Sequence, residues 1–291
     1  MKSDEFYVDV AKGVQYYLVG RYEGTAASKK AVLLLHGSTS GYVIWDIRKK
    51  DYNVMDYMAR EGFVVYGVDM RGFGKSSRTS GVDVRAETCA EDVKKVVDFI
   101  KRRLGASKIS LVGGSFGCVV ALIYAGKYQE DLEKLALLSP PYKDVSDSLK
   151  PLRQPVIDLA KKGVGYYPNA VDPRMLVAML HSADRAVLDY YAEWCLSHCP
   201  ENPTGVMLDS VQGKDGKLVS DHYVPLIKIP TIVIIGSNDE VCPADNARLL
   251  HQALGTQAKK MVLIPNASHH VFLEREAHVT YMEKICEWLK D

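Results

Sequence analysis

The chain has 291 residues, 47% of them hydrophobic and 25% charged, with a formal net charge of +1. That balance fits a globular protein with a large core, built as one domain with an insertion or as two, and it argues against nucleic acid or an acidic membrane surface as partner, because basic residues cluster only briefly, as at 48–50 and 101–103. No apolar run approaches a membrane span, the first residues lack the apolar stretch of a signal peptide, and six cysteines scattered along the chain read as reduced thiols, so the expectation is a cytoplasmic protein.

Residues 6–11 and 15–22 flank Lys12-Gly13 and predict an antiparallel hairpin at a sheet edge. From there short β-branched runs alternate with longer helical patterns, which predicts parallel strands joined by helical crossovers. Strands are expected at 31–35, 64–69, 109–113, 135–139, 231–236 and 260–264, most of them nearly continuous apolar runs of the kind covered on both faces. Helices are expected at 53–61, 88–104, 118–127, 243–254 and 277–290. In the second, Val93, Val96, Val97, Ile100 and Leu104 recur at three- and four-residue spacing and should form one apolar face.

Between Pro140 and Pro225 the alternation stops. Helix-like pieces at 149–162, 173–181 and 183–197 and a turn at 212–217 predict a helical lid inserted after the fourth crossover strand, so that 1–140 and 225–291 form the core domain and 141–224 the lid. Tyr166, Tyr167, Tyr190, Tyr191 and Trp194 are expected to make the lid's own core. Cys195, His198 and Cys199 have a spacing that would put three soft ligands on one helix face, but no second pair stands at zinc-site spacing. They read as a helix end packed under a loop, and no metal is expected.

The chemistry is concentrated in Gly113-Gly114-Ser115-Phe116-Gly117, which lies between the fourth crossover run's predecessor at 109–113 and the helical run at 118–127. A serine at a sharp strand-to-helix turn holds its hydroxyl clear of the sheet, beside helix N–H groups that have no internal partner. The Phe116 N–H is therefore a candidate oxyanion donor. A serine hydroxyl needs a base, and the base needs a carboxylate to orient it. Asp239, with Glu240 as its neighbour, follows the strand at 231–236; His269, with His270 beside it, follows the strand at 260–264. In a parallel sheet the carboxyl ends of all strands open onto one edge, where Ser115, the acid and the histidine would converge. The small-residue loop His36-Gly37-Ser38-Thr39-Ser40-Gly41 opens there too and offers a second donor, the Ser38 N–H; His36 itself reads as a structural ring.

With these segments in order the chain resembles the α/β-hydrolases of the lidded, single-domain type. The resemblance rests on the His36-Gly37 loop, the turn Asp69 to Ser76, the Ser115 elbow, the Gly236 to Pro243 acid turn and the final histidine, and it spans nearly all of the chain outside the lid. It implies a mostly parallel eight-stranded sheet with helices on both faces. It also implies a triad of Ser115, Asp239 and His269, with Asp239 favoured over Glu240 and His269, which follows the small Ser268, over His270.

The implied activity is hydrolysis of a carboxylic ester, with a small-molecule ester-like substrate and no cofactor. Thioesterase, lactonase and carbon–carbon bond hydrolase activities share the triad. The His-Gly-Gly-Pro-Gly loop of proline iminopeptidases is absent, and His270 stands where carbon–carbon hydrolases often carry tryptophan. A non-catalytic ligand receptor on the same fold and a homo-oligomer both stay open.

Overall fold

In the computed structural model, which describes residues 1–26, 30–49, 51–169, 182–212 and 215–291, the apolar runs form one twisted sheet. The strands are β1 (Lys2–Ala11), β2 (Val14–Tyr22), β3 (Ala31–Leu35), β4 (Val64–Val68), β5 (Ile109–Gly114), β6 (Leu132–Leu138), β9 (Thr231–Gly236) and β10 (Lys259–Ile264). They lie in the order β1-β2-β4-β3-β5-β6-β9-β10. β1 and β2 pair antiparallel, as does β2 with β4; every pair from β4 to β10 is parallel.

The strands alternate strictly between two apolar layers. Leu33, Leu35, Val233 and Ile235 face one layer, and Val32, Leu34, Ile232 and Ile234 face the other. The first layer is closed by α2 (Ala86–Leu104), α3 (Phe116–Tyr128) and α7 (Ala244–Ala253); the second by α1 (Val54–Arg60) and α8 (Ala277–Lys290). The face predicted on α2 is the buried one, through Val93, Val96, Val97 and Ile100. The same face carries Asp92, which is tolerated there because Tyr16 donates to it at 2.8 Å and Arg71 grips it at 2.5 and 2.7 Å. α1 starts at the Asn53 cap, whose side chain accepts from the Asp56 N–H at 2.9 Å.

β6 begins earlier than the sequence reading placed it, because Glu133 and Lys134 interrupt the apolar pattern. The Lys134 ammonium reaches out of the sheet to the Trp288 carbonyl at 2.7 Å. The stretch between β6 and β9 also differs from the all-helical expectation. It contains α4 (Lys150–Lys161), α5 (Arg185–His198) and α6 (Gly205–Leu208), but also two short antiparallel strands, β7 (Tyr166–Pro168) and β8 (Glu201–Pro203). Three residues are too few for a period-two pattern, and the proline in each strand reads locally as a breaker. The helix expected at 173–181 and residues 213–214 of the expected turn lie outside the described residues.

The turn after β4 locks this stretch to the sheet. Asp69 is wholly buried and accepts from the Tyr42 N–H at 2.8 Å, the Lys75 N–H at 2.9 Å and His198 of α5 at 2.8 Å. Gly74 has a positive φ of 49° and lies against both Asp69 and His198, so no side chain fits there. His198 is thus spent on Asp69, while Cys199 donates to the Glu201 carbonyl and Cys195 is buried: the three do not gather as a ligand set. All six cysteines are free and buried. Among the described residues no helix is long and apolar enough to cross a membrane.

Candidate active site

Ser115 sits between β5 and α3 with φ 50° and ψ −115°, a conformation disfavoured for any residue with a Cβ. The glycines around it explain why the chain can turn so sharply. A Cβ on Gly113 would stand 2.5 Å from the Gly117 carbonyl oxygen, and one on Gly114 would stand 2.9 Å from the Trp45 ring. The turn is held by Ser115 N–H donating to Leu138 O at 2.9 Å and Cys118 N–H donating to Ser115 O at 2.8 Å.

The sheet brings Ser115, Asp239 and His269 together from β5, β9 and β10. His269 Nε2 lies 3.0 Å from Ser115 Oγ, and its Nδ1 lies 3.0 and 2.9 Å from the two Asp239 oxygens. This pattern assigns the proton to Nδ1, which donates to the carboxylate, and leaves Nε2 to accept from the serine. Asp239 Oδ1 is further fixed by N–H groups of Val241 at 2.9 Å and Cys242 at 2.7 Å. Burial alone would raise the Asp239 pKa and lower that of His269. The attraction and hydrogen bond between the two reverse both effects, so the carboxyl is held below and the imidazole above its ordinary value.

Glu240 is not the ring's partner: the His269 Nδ1 contacts go to Asp239, while the Glu240 side chain meets the His269 backbone, its pKa is raised by burial and then by the Asp239 charge, and its Oε1 is buried without a partner. His270 packs edge-on against His269 at 5.3 Å between ring centroids and is not bonded to Ser115. Burial first, and then the neighbouring His269, lower its pKa to about 3, so it is neutral. His36 is a structural ring: it accepts from the Met70 N–H at 3.1 Å and lies 2.7 Å from Gly37 O, with burial lowering its pKa to about 4.

Phe116 is the first residue of α3, so its N–H lacks a helical acceptor and lies at the positive end of the helix dipole. Ser38 lies on the facing loop, where Gly37 approaches so closely that a Cβ there would be 3.5 Å from that of Ser115. Two cavities flank the serine. One of about 200 Å³ is lined by Trp45, Leu138, Tyr191, His269, His270 and Phe272. The other, of about 170 Å³, lies under Phe116, Val119, Pro141, Val145, Val206 and Met207. Ser38, Ser115 and Val241 border both.

Tyr191, expected in the lid core, therefore also faces the site. Its position on α5 was predictable, but its contact with a cavity built by residues 45 and 272 leaves no local trace. Among the described residues Asp239, Cys242 and His269 are the set whose donor atoms lie close enough, within 4.8 Å, to share a metal ion. Asp239 and His269 are already bonded to each other, and burial keeps the Cys242 thiol protonated by raising its pKa.

The sheet order, the serine at the β5–α3 turn and the acid and histidine after β9 and β10 define an α/β-hydrolase. The chain belongs to the family described as serine aminopeptidase, S33, which matches residues 26–276, and it is a hydrolase of the serine type. It is 25% identical over 273 residues to the AB hydrolase superfamily protein YisY of Bacillus subtilis, covering 86% of this chain and 88% of that one. It is 28% identical over 282 residues to a 2-hydroxy-6-oxononadienedioate/2-hydroxy-6-oxononatrienedioate hydrolase of Paraburkholderia phymatum, covering 91% of this chain and 86% of the relative. A thermophilic esterase from Thermogutta terrifontis shares the fold with a TM-score of 0.73 and 21% identity, over 100% of this chain and 98% of that one.

Proposed function

We propose that the protein cleaves a carboxylic ester of a small molecule through an acyl-enzyme on Ser115. The observation that carries this reading is the 3.0 Å contact of Ser115 Oγ with His269 Nε2, in a histidine whose other nitrogen is bound to a buried carboxylate. His269 takes the hydroxyl proton as Ser115 attacks the carbonyl, and Asp239 stabilises the imidazolium. The Phe116 and Ser38 N–H groups hold the oxyanion, each donor lowering the barrier by about 3 kcal/mol. His269 then protonates the leaving alcohol, and a water activated by the same ring releases the acid.

Residues 141–224 act in this reading as the lid. Val145, Val206 and Met207 from that stretch wall one cavity and Tyr191 the other, which supports a role in selecting substrate. The predominantly apolar walls favour an ester over a peptide with a charged amino terminus. The named substrate of the Paraburkholderia relative favours a carbon–carbon bond hydrolase as the second reading.

A series of p-nitrophenyl esters of increasing acyl length, hydrolysed by the wild type and by Ser115→Ala, tests the proposal. Turnover by the wild type should fall to the level of a protein-free blank in the variant. Undiminished turnover in Ser115→Ala would remove the serine from the mechanism, and saturable binding of esters without product would favour a receptor.

A further inference from the structure

The loop that carries the Ser38 N–H contains two successive residues with positive φ, Ser40 at 97° and Gly41 at 74°. Glycine takes such angles freely, but Ser40 has a Cβ, and a residue of that kind keeps this conformation only where its surroundings impose it. Ser40 is also wholly buried, so its N–H needs an acceptor inside the protein.

That acceptor comes from the stretch between β6 and β9. Asn202, the middle residue of β8, is itself wholly buried, and its Oδ1 accepts from the Ser40 N–H at 3.3 Å. The neighbours set the orientation of the amide: Cys199 Sγ, 3.5 Å away, is a second donor, so the oxygen faces both. β8 is fixed in turn by pairing with β7, where Tyr167 stands opposite Asn202.

The residues on either side of Ser40 show where this bond acts. On one side the Tyr42 N–H donates to Asp69 Oδ1 at 2.8 Å, and a Cβ on Gly41 would overlap the same oxygen. On the other side His36 accepts from the Met70 N–H at 3.1 Å, and Gly37 lies against Ser115. Between these anchors no described residue accepts from the backbone N–H of Ser38 or Thr39. The course of residues 37–39 therefore depends on the Thr39–Ser40 peptide, whose N–H Asn202 holds.

We propose that Asn202 is a positioning residue for the oxyanion loop, so that the lid takes part in the chemistry at Ser115 as well as in admitting substrate. In the cycle proposed above, on which this inference rests, the Ser38 N–H meets the oxyanion. Without an acceptor at position 202 the Ser40 N–H is left buried and unpaired. The Thr39–Ser40 peptide then turns toward another partner, and the Ser38 N–H leaves the place from which it meets the oxyanion.

Asn202→Ala and Asn202→Leu, neither of which can accept from Ser40, test this beside Asn202→Asp, which can. Asn202→Leu keeps the space filled where Asn202→Ala leaves a cavity. On p-nitrophenyl acetate, butyrate and octanoate, kcat of the first two variants should fall about 100-fold with KM nearly unchanged, and by the same factor on each ester. The inhibition constant of a trifluoromethyl ketone, whose carbonyl takes up Ser115 Oγ and then bears the oxyanion, should rise by that factor too. Asn202→Asp should recover most of the lost kcat.

A lower melting temperature with kcat and the ketone constant unchanged would make Asn202 a packing residue and overturn the proposal. A loss that grows with acyl length, the mark of a residue that only shapes the pocket, would overturn it as well. Absence of turnover on all three esters in the wild type would count against the ester reading alone. The rate at which a fluorophosphonate labels Ser115, which draws on the same donors, then decides: labelling about 100-fold slower in Asn202→Leu upholds the role, and an unchanged rate refutes it.

Discussion

Replacing Gly113 by alanine tests whether the elbow holds its serine by close packing of backbone on backbone. Gly113 has no positive φ, so an added methyl brings no torsional strain; its only effect is to occupy space. That space is filled by the first turn of α3: the Cβ would stand 2.5 Å from Gly117 O, 2.7 Å from Gly117 C and 2.8 Å from Cys118 N. Ordinary contact begins near 3.4 Å, so the turn must retreat by about 0.9 Å, and no flexible side chain can absorb the shift.

Overpacking of this kind costs about 1–3 kcal/mol, which for a chain of this size lowers the melting temperature by roughly 2–10 °C. The retreat carries Ser115 Oγ and the Phe116 N–H with it. A displacement near 1 Å at reacting atoms lowers the rate about 100-fold, so kcat should fall by that order while KM changes little. Thermal melting followed by circular dichroism, together with p-nitrophenyl butyrate kinetics, reads both effects. Gly37→Ala is the control, because its Cβ meets Ser115 Cβ at 3.5 Å, an ordinary contact, and should leave the melting temperature in place. A Gly113→Ala protein with wild-type melting and wild-type kcat would refute the argument.

Two further outcomes follow from the histidine. Asp239→Asn should lower kcat about 10,000-fold with the fold intact, because an amide no longer enforces the Nδ1–H tautomer; a loss below tenfold would contradict the role given to the carboxylate. Ester turnover requires neutral His269, whose pKa is held above 6.5, so kcat/KM should rise with pH through a midpoint above that value. In Asp239→Asn the charge and hydrogen bond that chiefly raise it are gone, while burial remains with only the weaker Glu240 charge opposing it, so the residual activity should titrate at lower pH than the wild type; an unmoved midpoint would show that another group sets the profile.

Much of this architecture was legible because its signals are local. The alternation of apolar runs with helical patterns located the six parallel strands, and the glycines around Ser115 marked a turn that the backbone then makes with φ 50°. Asp239 and His269 were readable because chain order and strand ends in a parallel sheet dictate where they meet. What could not be read depends on partners far away in sequence. His198 answers to Asp69, 129 residues earlier, and nothing near Cys195 and Cys199 hints at it. The strands β7 and β8 carry too few residues for any periodicity.

The spacing of the site along the chain governs when the protein becomes reactive during folding. Ser115 and His269 are 154 residues apart, and β10, which delivers the histidine, pairs only with β9 at the margin of the sheet. Contacts of such long range form late, since loop closure precedes their reward. A folding intermediate can hold β3, β5 and α3 and still present a serine with no base, an ordinary unreactive alcohol. Hydrolysis that depends on His269 therefore requires the last strand to have docked.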